Sequence, residues 1–167
     1  MPGVRAGFLT GFAVCVAGLG FAYYLQYAQG LEPCPMCIFQ RIAMAATGLI
    51  CLVAGLHGPV TRAGRWSYGV LAALAAGAGA AIAGRHVWLQ SIPEDQVPAC
   101  GPGLDYLLEI MPWQQAMAKV LRGDASCAKI DASFLGLSLP GWTLVVFVGL
   151  LLWVLAVSLA TQKDEWR

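Results

Sequence analysis

The chain has 167 residues, of which 59% are hydrophobic and 11% are charged, and its formal net charge is +1. A water-soluble domain usually has about a quarter charged residues, so this composition excludes an ordinary soluble protein. The charges form neither a basic stripe nor an acidic tail, which argues against a nucleic-acid-binding protein. The sequence therefore predicts a protein embedded in a lipid bilayer.

Four stretches are apolar and long enough to cross a bilayer as helices, at a rise of about 1.5 Å per residue. We expect these spans at about 6–29, 38–56, 67–89 and 142–160, with outer loops at about 29–41 and 90–141. The whole chain, 1–167, would then be a single membrane domain. The predicted fold class is an all-α four-helix transmembrane bundle with a short amphipathic interfacial helix in the second outer loop.

Basic residues are concentrated on the side of the bundle that holds both termini. The short segments on that side contain Arg5, Arg62, Arg65, Lys163 and Arg167. Because basic residues favour the cytoplasmic side of a membrane, both termini and the 57–66 loop are predicted to be cytoplasmic. The segments 29–41 and 90–141 would then face the periplasm or the exterior.

The second span opens on a C-x-x-C pair, Cys34 and Cys37, which is flanked by Pro33 and Pro35. Such a pair suits reversible dithiol chemistry, in which one thiol attacks and the other resolves. A helix N-terminus stabilises a thiolate at this place. Arg41 lies one turn further on the same helical face, near the membrane boundary. It is either a snorkelling arginine that marks the interface or a cation that holds a thiolate or an oxidant carbonyl.

The third span is rich in small residues that recur in two rows. One row is Gly69, Ala73, Gly77 and Ala81, and the other is Ala72, Ala76, Ala80 and Gly84. Such rows let helix backbones approach closely, so we expect this helix at the centre of a tight bundle. Arg85 and His86 follow at its outer end. Ionisable residues at membrane depth are functional candidates, although either side chain could equally be an interfacial anchor.

The outer segment 90–141 carries more apolar side chains than an exposed loop would. Pro112 is placed to open a short helix at 113–122, which we expect to lie along the membrane surface. This helix lies between Cys100 and Cys127 and would hold both cysteines near the bilayer. By contrast, Cys15 and Cys51 lie inside spans.

Metal chemistry is disfavoured by the spacing of the potential ligands. Haem attachment would need a histidine after the C-x-x-C pair, where Ile38 stands. Haem held between the two histidines is excluded because His57 and His86 belong to opposite membrane faces. A structural zinc site would need a second close pair, whereas Cys100 and Cys127 are 27 positions apart. We therefore expect no metal.

The chain resembles the disulfide bond formation protein B (DsbB) family of bacterial inner membranes over nearly its whole length. The resemblance is carried by C-P-M-C-I-F-Q-R at 34–41, R-H-V-W-L-Q at 85–90 and F-L-G-L-S-L-P-G-W at 134–142, and by two cysteines that flank an amphipathic helix. It implies a multi-pass inner-membrane oxidoreductase. Such an enzyme re-oxidises a periplasmic DsbA-like, thioredoxin-fold oxidase and passes the electrons to ubiquinone or menaquinone.

The resemblance also implies roles for individual residues. Cys100 would be attacked by the thiolate of the partner, and Cys127 would pass electrons to Cys34 through a transient disulfide. Cys37 would be the thiolate that faces the quinone, with Arg41 holding and polarising that quinone. Arg85 and His86 are further candidates for quinone binding.

Two other functions compete with this interpretation. One is a four-span membrane adaptor whose outer loops are held by static disulfides, which should resist mild reductants and ignore quinones. The other is a thiol–quinone enzyme of the vitamin K epoxide reductase type. In that family the C-x-x-C pair lies late in the bundle rather than at the start of the second span.

Overall fold

The protein was analysed as a computed structural model, which describes residues 3–93, 106, 109–123, 125–128 and 133–159. The helices are α1 (Val4–Gln29), α2 (Pro35–His57), α3 (Arg62–Leu89), α4 (Trp113–Arg122), α5 (Ala125–Ala128) and α6 (Leu139–Leu159), and two short strands, β1 (Ser133–Phe134) and β2 (Leu137–Ser138), precede α6. Helices α1, α2, α3 and α6 are long and apolar enough to cross a membrane. The predicted all-α four-helix membrane fold is confirmed.

Local sequence signals explain where the long helices begin and end. Pro35 occupies the first turn of α2, where its missing N–H costs nothing. Thr61 caps α3 by accepting a hydrogen bond from the Gly64 N–H at 3.1 Å. Gly30 and Gly58 end α1 and α2 in the left-handed conformation, at φ +66° and +60°. The helices therefore extend slightly beyond the apolar runs from which the spans were predicted.

The four long helices form a closed ring in which α1 contacts α2, α2 contacts α3, α3 contacts α6, and α6 contacts α1. Helix α3 packs against α6 through its small residues. A Cβ at Gly69 would overlap Ser158, and one at Gly79 would overlap the Phe147 ring. An added Cβ at Gly77 would have no neighbour within 4 Å among the described residues. The close approach therefore follows one stripe of α3.

In the contact between α1 and α2, a cysteine of each helix packs against a glycine of the other. A Cβ added at Gly11 would lie 3.2 Å from Cys51 Sγ, and one at Gly48 would lie 2.9 Å from Cys15 Cβ. Both thiols are buried, with 1% or less of their surface exposed. Cys15 and Cys51 therefore serve as packing groups in the middle of the bundle.

The end of the bundle near the termini is joined by polar contacts between helices. Arg5 Nε donates to Gly55 O at 3.2 Å, and Trp153 Nε1 donates to Gly7 O at 2.8 Å. His57 Nδ1 and the Tyr68 hydroxyl are 2.8 Å apart at this same end. The C-x-x-C pair and His86 lie at the opposite end.

Helix α4 covers that opposite end and matches the predicted range 113–122. It buries Ala116 and Val120 in a cluster with Met36 and Leu89, while Trp113 stays 64% exposed. The helix is therefore amphipathic, as predicted.

A small β-hairpin, which the sequence analysis did not anticipate, leads into α6. Its turn consists of Leu135 and Gly136, both with positive φ. This combination matches the right-handed twist of two short antiparallel strands. Trp142 Nε1 donates to Phe134 O at 2.9 Å and ties the hairpin to α6.

Candidate functional site

A cleft of about 220 Å³ opens between the outer ends of α1, α2, α3 and α6. Most of its wall is apolar and includes Leu19, Leu25, Met44 and Val146. Its polar lining includes Cys34, Cys37, Gln40, Arg41, His86 and Gln90. The cleft thus combines an apolar wall, suited to a lipid-soluble molecule, with thiols and hydrogen-bonding groups.

The C-x-x-C pair lies at the N-terminus of α2, where Cys34 is the N-cap and Cys37 is in the first turn. Cys34 Sγ donates a hydrogen bond to Cys37 Sγ at 3.2 Å. A donated hydrogen bond stabilises negative charge on the accepting sulfur, as does the helix N-terminus. The geometry favours Cys37 as the thiolate of the reduced pair and leaves Cys34 as the sulfur that faces other groups.

His86 is buried beside this pair and is held by hydrogen bonds at both ring nitrogens. Gln40 Nε2 donates to His86 Nδ1 at 3.1 Å, so the ring proton is on Nε2. From there it is donated to Cys127 O at 3.0 Å, and the same nitrogen lies 3.8 Å from Cys34 Sγ. The Cys127 carbonyl can only accept and so fixes this tautomer, while Gln40 helps to orient the ring that faces Cys34.

Cys127 reaches the site because α4 and α5 pack over the ends of α2 and α3. Between these helices, Gly123 adopts φ +79°, and a Cβ there would overlap Leu89. Two effects raise the pKa of the Cys127 thiol: the hydrogen bond with Cys34, which is the larger, and burial. Negative charge in the reduced site is thus favoured on the C-x-x-C pair rather than on Cys127.

Arg41 lines the cleft and is held in place by α1. Its Nη2 donates to Ala22 O at 3.2 Å, its Nη1 donates to Gln26 Oε1, and its Cζ lies 5.1 Å from the centre of the Tyr23 ring. These contacts fix the guanidinium at the cleft. A rigid cation with several N–H donors suits the binding of a thiolate or a carbonyl oxygen.

Arg85 has a different environment from the other predicted site residues. Its Nη2 donates to Arg122 O at 3.1 Å, its Nε donates to Leu121 O at 3.4 Å, and its Cζ lies 4.1 Å from the centre of the Trp88 ring. It is absent from the described lining of the cleft. Arg85 thus binds the C-terminal carbonyls of α4, and its contacts give no support to the predicted quinone-binding role.

The structure brings together Cys34, Cys37, Arg41 and His86, and it adds Cys127 from the outer segment. Cys100 lies outside the described residues, so its predicted role stays a prediction. Gln40 was missed as a site residue by the sequence analysis. It could have been noticed as a polar residue one turn after Cys37 and next to Arg41, in a helix that is mostly apolar.

The amino-acid sequence matches a known protein family over most of its length. The profile of the family "Disulfide bond formation protein DsbB" matches residues 4–157. "Disulfide bond formation protein B" of Xanthomonas euvesicatoria pv. vesicatoria is 52% identical over 161 residues, which cover 96% of this chain and 94% of that protein. The protein of the same name from Marinobacter nauticus is 50% identical over 156 residues, which cover 93% and 92% of the two chains.

Proposed function

We propose, because this chain belongs to the disulfide bond formation protein B (DsbB) family, that it re-oxidises a periplasmic DsbA-like dithiol protein and passes the electrons to a membrane quinone. Family membership establishes the broader role, an oxidoreductase of disulfide bond formation in a multi-pass membrane protein. The proposal adds the partner, the electron acceptor and the path between them. It also places the protein in the bacterial inner membrane with both termini in the cytoplasm, as the distribution of basic residues indicates.

The proposed path consists of four thiol–disulfide exchanges. A thiolate of the partner attacks Cys100, breaks the Cys100–Cys127 disulfide and releases Cys127. The Cys127 thiolate then attacks Cys34, which forms a Cys34–Cys127 disulfide, breaks the Cys34–Cys37 disulfide and leaves the charge on Cys37. The second thiol of the partner resolves the mixed disulfide and releases Cys100. Cys100 then attacks Cys127, which restores the Cys100–Cys127 disulfide, releases Cys34 and leaves the two electrons on the Cys34–Cys37 pair. The partner has then lost two electrons and two protons.

The observation that carries the proposal is the central position of Cys34. Its sulfur contacts Cys37 at 3.2 Å, lies 3.8 Å from His86 Nε2 and shares a hydrogen bond with Cys127. Thiol–disulfide exchange needs an attacking sulfur close to the sulfur that it attacks. Cys34 can therefore exchange between the two pairs with little movement of the backbone.

The cleft fits a quinone as the electron acceptor. Its apolar wall suits a ring that arrives from the bilayer, and Arg41 and Cys37 both line it. A bound quinone would accept two electrons and two protons from the reduced Cys34–Cys37 pair, whose disulfide would re-form, and leave as the quinol. The residues would hold it in complementary ways, since Arg41 offers N–H donors to a carbonyl oxygen and α1 keeps that guanidinium in place.

The test is quinone reduction by the purified full-length protein in detergent, supplied with a reduced DsbA-like partner. We expect turnover by the wild type and by the Cys51→Ala control, and loss of turnover in Cys37→Ala and in Cys100→Ala. If the wild type fails with both ubiquinone and menaquinone, the relay is wrong. A membrane adaptor with static disulfides would then be the better interpretation.

A further inference from the structure

We propose that the reduced site is also a binding site for a thiophilic divalent cation such as Zn²⁺, held by Cys34, Cys37 and His86, and that this cation blocks the enzyme. The potential ligand atoms of these residues all lie within 4.8 Å of one another. Sequence spacing disfavoured zinc because Cys34 and Cys37 have no second close cysteine pair. The fold instead supplies the third ligand from α3, through a histidine that is 52 positions away from Cys34.

The spacing of the three atoms is close to that of a tetrahedral zinc site. Zinc–sulfur and zinc–nitrogen bonds of about 2.3 and 2.0 Å place two sulfurs about 3.8 Å apart and a sulfur and a nitrogen about 3.5 Å apart. The corresponding separations here are 3.2 Å for Cys34 to Cys37 and 3.8 Å for Cys34 to His86 Nε2. Small side-chain rotations, with loss of the bond from His86 Nε2 to Cys127 O, would therefore close the site around an ion.

Gln40 provides the second-shell hydrogen bond that a histidine ligand needs. To bind a cation through Nε2, the His86 ring must carry its proton on Nδ1 and donate it to an acceptor. The Gln40 amide lies 3.1 Å from that nitrogen. An amide has both a donor and an acceptor, so a flip of the Gln40 side chain presents Oε1 to Nδ1–H. With its proton on Nε2, the His86 ring donates to Cys127 O beside Cys34; with its proton on Nδ1, it can bind a metal ion through Nε2.

Cys127 can add a fourth ligand, because its thiol already shares a hydrogen bond with Cys34. Three cysteines and one histidine form a common zinc-binding set. The proposal requires only Cys34, Cys37 and His86, with a water molecule as the alternative fourth ligand.

The site exists only while Cys34 and Cys37 are reduced. Binding releases the two thiol protons and moves no electrons, whereas a Cys34–Cys37 disulfide has no thiolate to offer. An ion bound to both sulfurs would prevent their re-oxidation and stop turnover after one round of partner oxidation. This inhibition rests on the proposed function, but the binding itself does not.

The test uses the reduced full-length protein in detergent, freed of reductant and titrated with Zn²⁺ against a chromophoric chelator. Co²⁺ is used in parallel, because its visible and near-ultraviolet bands report tetrahedral geometry and thiolate ligation. We expect one ion per reduced chain, none in the oxidised protein, and unchanged binding in the Cys51→Ala control. His86→Ala and Gln40→Leu should each weaken binding by about 10-fold or more.

Equal binding by the oxidised protein, or unchanged affinity in His86→Ala, would overturn the proposal, since a two-thiol site would not need the histidine. His86→Gln serves as a second variant if His86→Ala does not fold, as judged by its helix content. The outcomes also separate the two proposals. Zinc binding without quinone turnover by the zinc-free protein would refute the relay alone, whereas quinone turnover without zinc binding would refute the metal site alone.

Discussion

The middle and the outer end of the bundle both contain buried sulfur, but they surround it differently. In the middle, Cys15 and Cys51 fill the space above glycines of the facing helix. At the outer end, Cys34 contacts another thiol and an imidazole, and Cys37 shares its cleft with the guanidinium of Arg41. Under the proposed relay, neighbouring polar groups, rather than burial alone, therefore distinguish a redox-active thiol from a packing thiol.

The largest expected effect on turnover comes from replacing individual cysteines of the two regions. Cys34→Ala should abolish oxidation of the DsbA-like partner, because it removes the sulfur that joins the two pairs. Cys15→Ala and Cys51→Ala should retain turnover, since each removes only a packing group. The measurement is the rate of partner oxidation in detergent. Loss of turnover in a well-folded Cys15→Ala protein would contradict the division into packing and redox-active thiols.

The next effect concerns the cation of the cleft. Arg41→Leu should lower kcat/KM for the quinone by about 100-fold, because a fixed hydrogen-bond donor to a developing oxyanion is lost. Arg41→Lys should recover only part of this loss, since an ammonium group lacks the planar fork of donors. Steady-state kinetics with varied quinone concentration would measure both variants. A full recovery in Arg41→Lys would show that charge alone is needed.

A smaller effect is expected at Gln40, which acts through His86 as a positioning residue. Gln40→Leu should slow the exchange between Cys127 and Cys34 by about 10-fold, because the imidazole loses its orienting partner. Gln40→Glu should change the pH dependence of turnover, since a carboxylate accepts from Nδ1–H but cannot donate to Nδ1, so the Nε2–H tautomer loses its partner. The check is the pH profile of turnover. Parallel profiles for the wild type and Gln40→Glu would indicate a merely structural role.

The smallest effect is expected at Arg85, which anchors α4 rather than lining the cleft. Loss of this anchor should expose Cys127, so the alkylation rate of Cys127 should be about two- to five-fold higher in Arg85→Ala than in the wild type. This factor corresponds to about 0.5–1 kcal/mol for an exposed cation–π contact. In the reduced wild type, Cys127 should react slowly at neutral pH and faster as the pH rises, because its raised pKa keeps the thiol protonated. Mass spectrometry of maleimide adducts would give both rates. If Arg85→Ala lowered kcat/KM for the quinone as much as Arg41→Leu does, Arg85 would instead be a quinone-binding residue.

The sequence predicted the features that depend on local pattern. Apolar length predicted the membrane helices, and Pro112 predicted the start of α4. The C-x-x-C motif predicted a redox pair; the structure places its two sulfurs 3.2 Å apart, and the redox role stays a prediction.

Features that depend on contacts between distant segments could not be predicted in this way. The bond between Gln40 and His86 joins positions 46 apart on two helices, and nothing near either residue specifies the rotation that lets them meet. Arg85 and His86 are neighbours in sequence, yet one binds α4 and the other binds the site. Successive helical residues point in different directions, so both could not be assigned to one cleft from their adjacency.

The most direct test of the account is the disulfide connectivity of Cys37→Ala, purified in the oxidised form without a reduced partner. Without Cys37, the Cys34 thiolate can attack Cys127, which forms a Cys34–Cys127 disulfide, breaks the Cys100–Cys127 disulfide and releases the Cys100 thiol with no net oxidation. Peptide mapping under non-reducing conditions should therefore find a Cys34–Cys127 disulfide, absent from a matched Cys37→Ala, Cys127→Ala protein. Recovery of Cys34 as a free thiol, with Cys127 still paired to Cys100, would contradict the proposed relay.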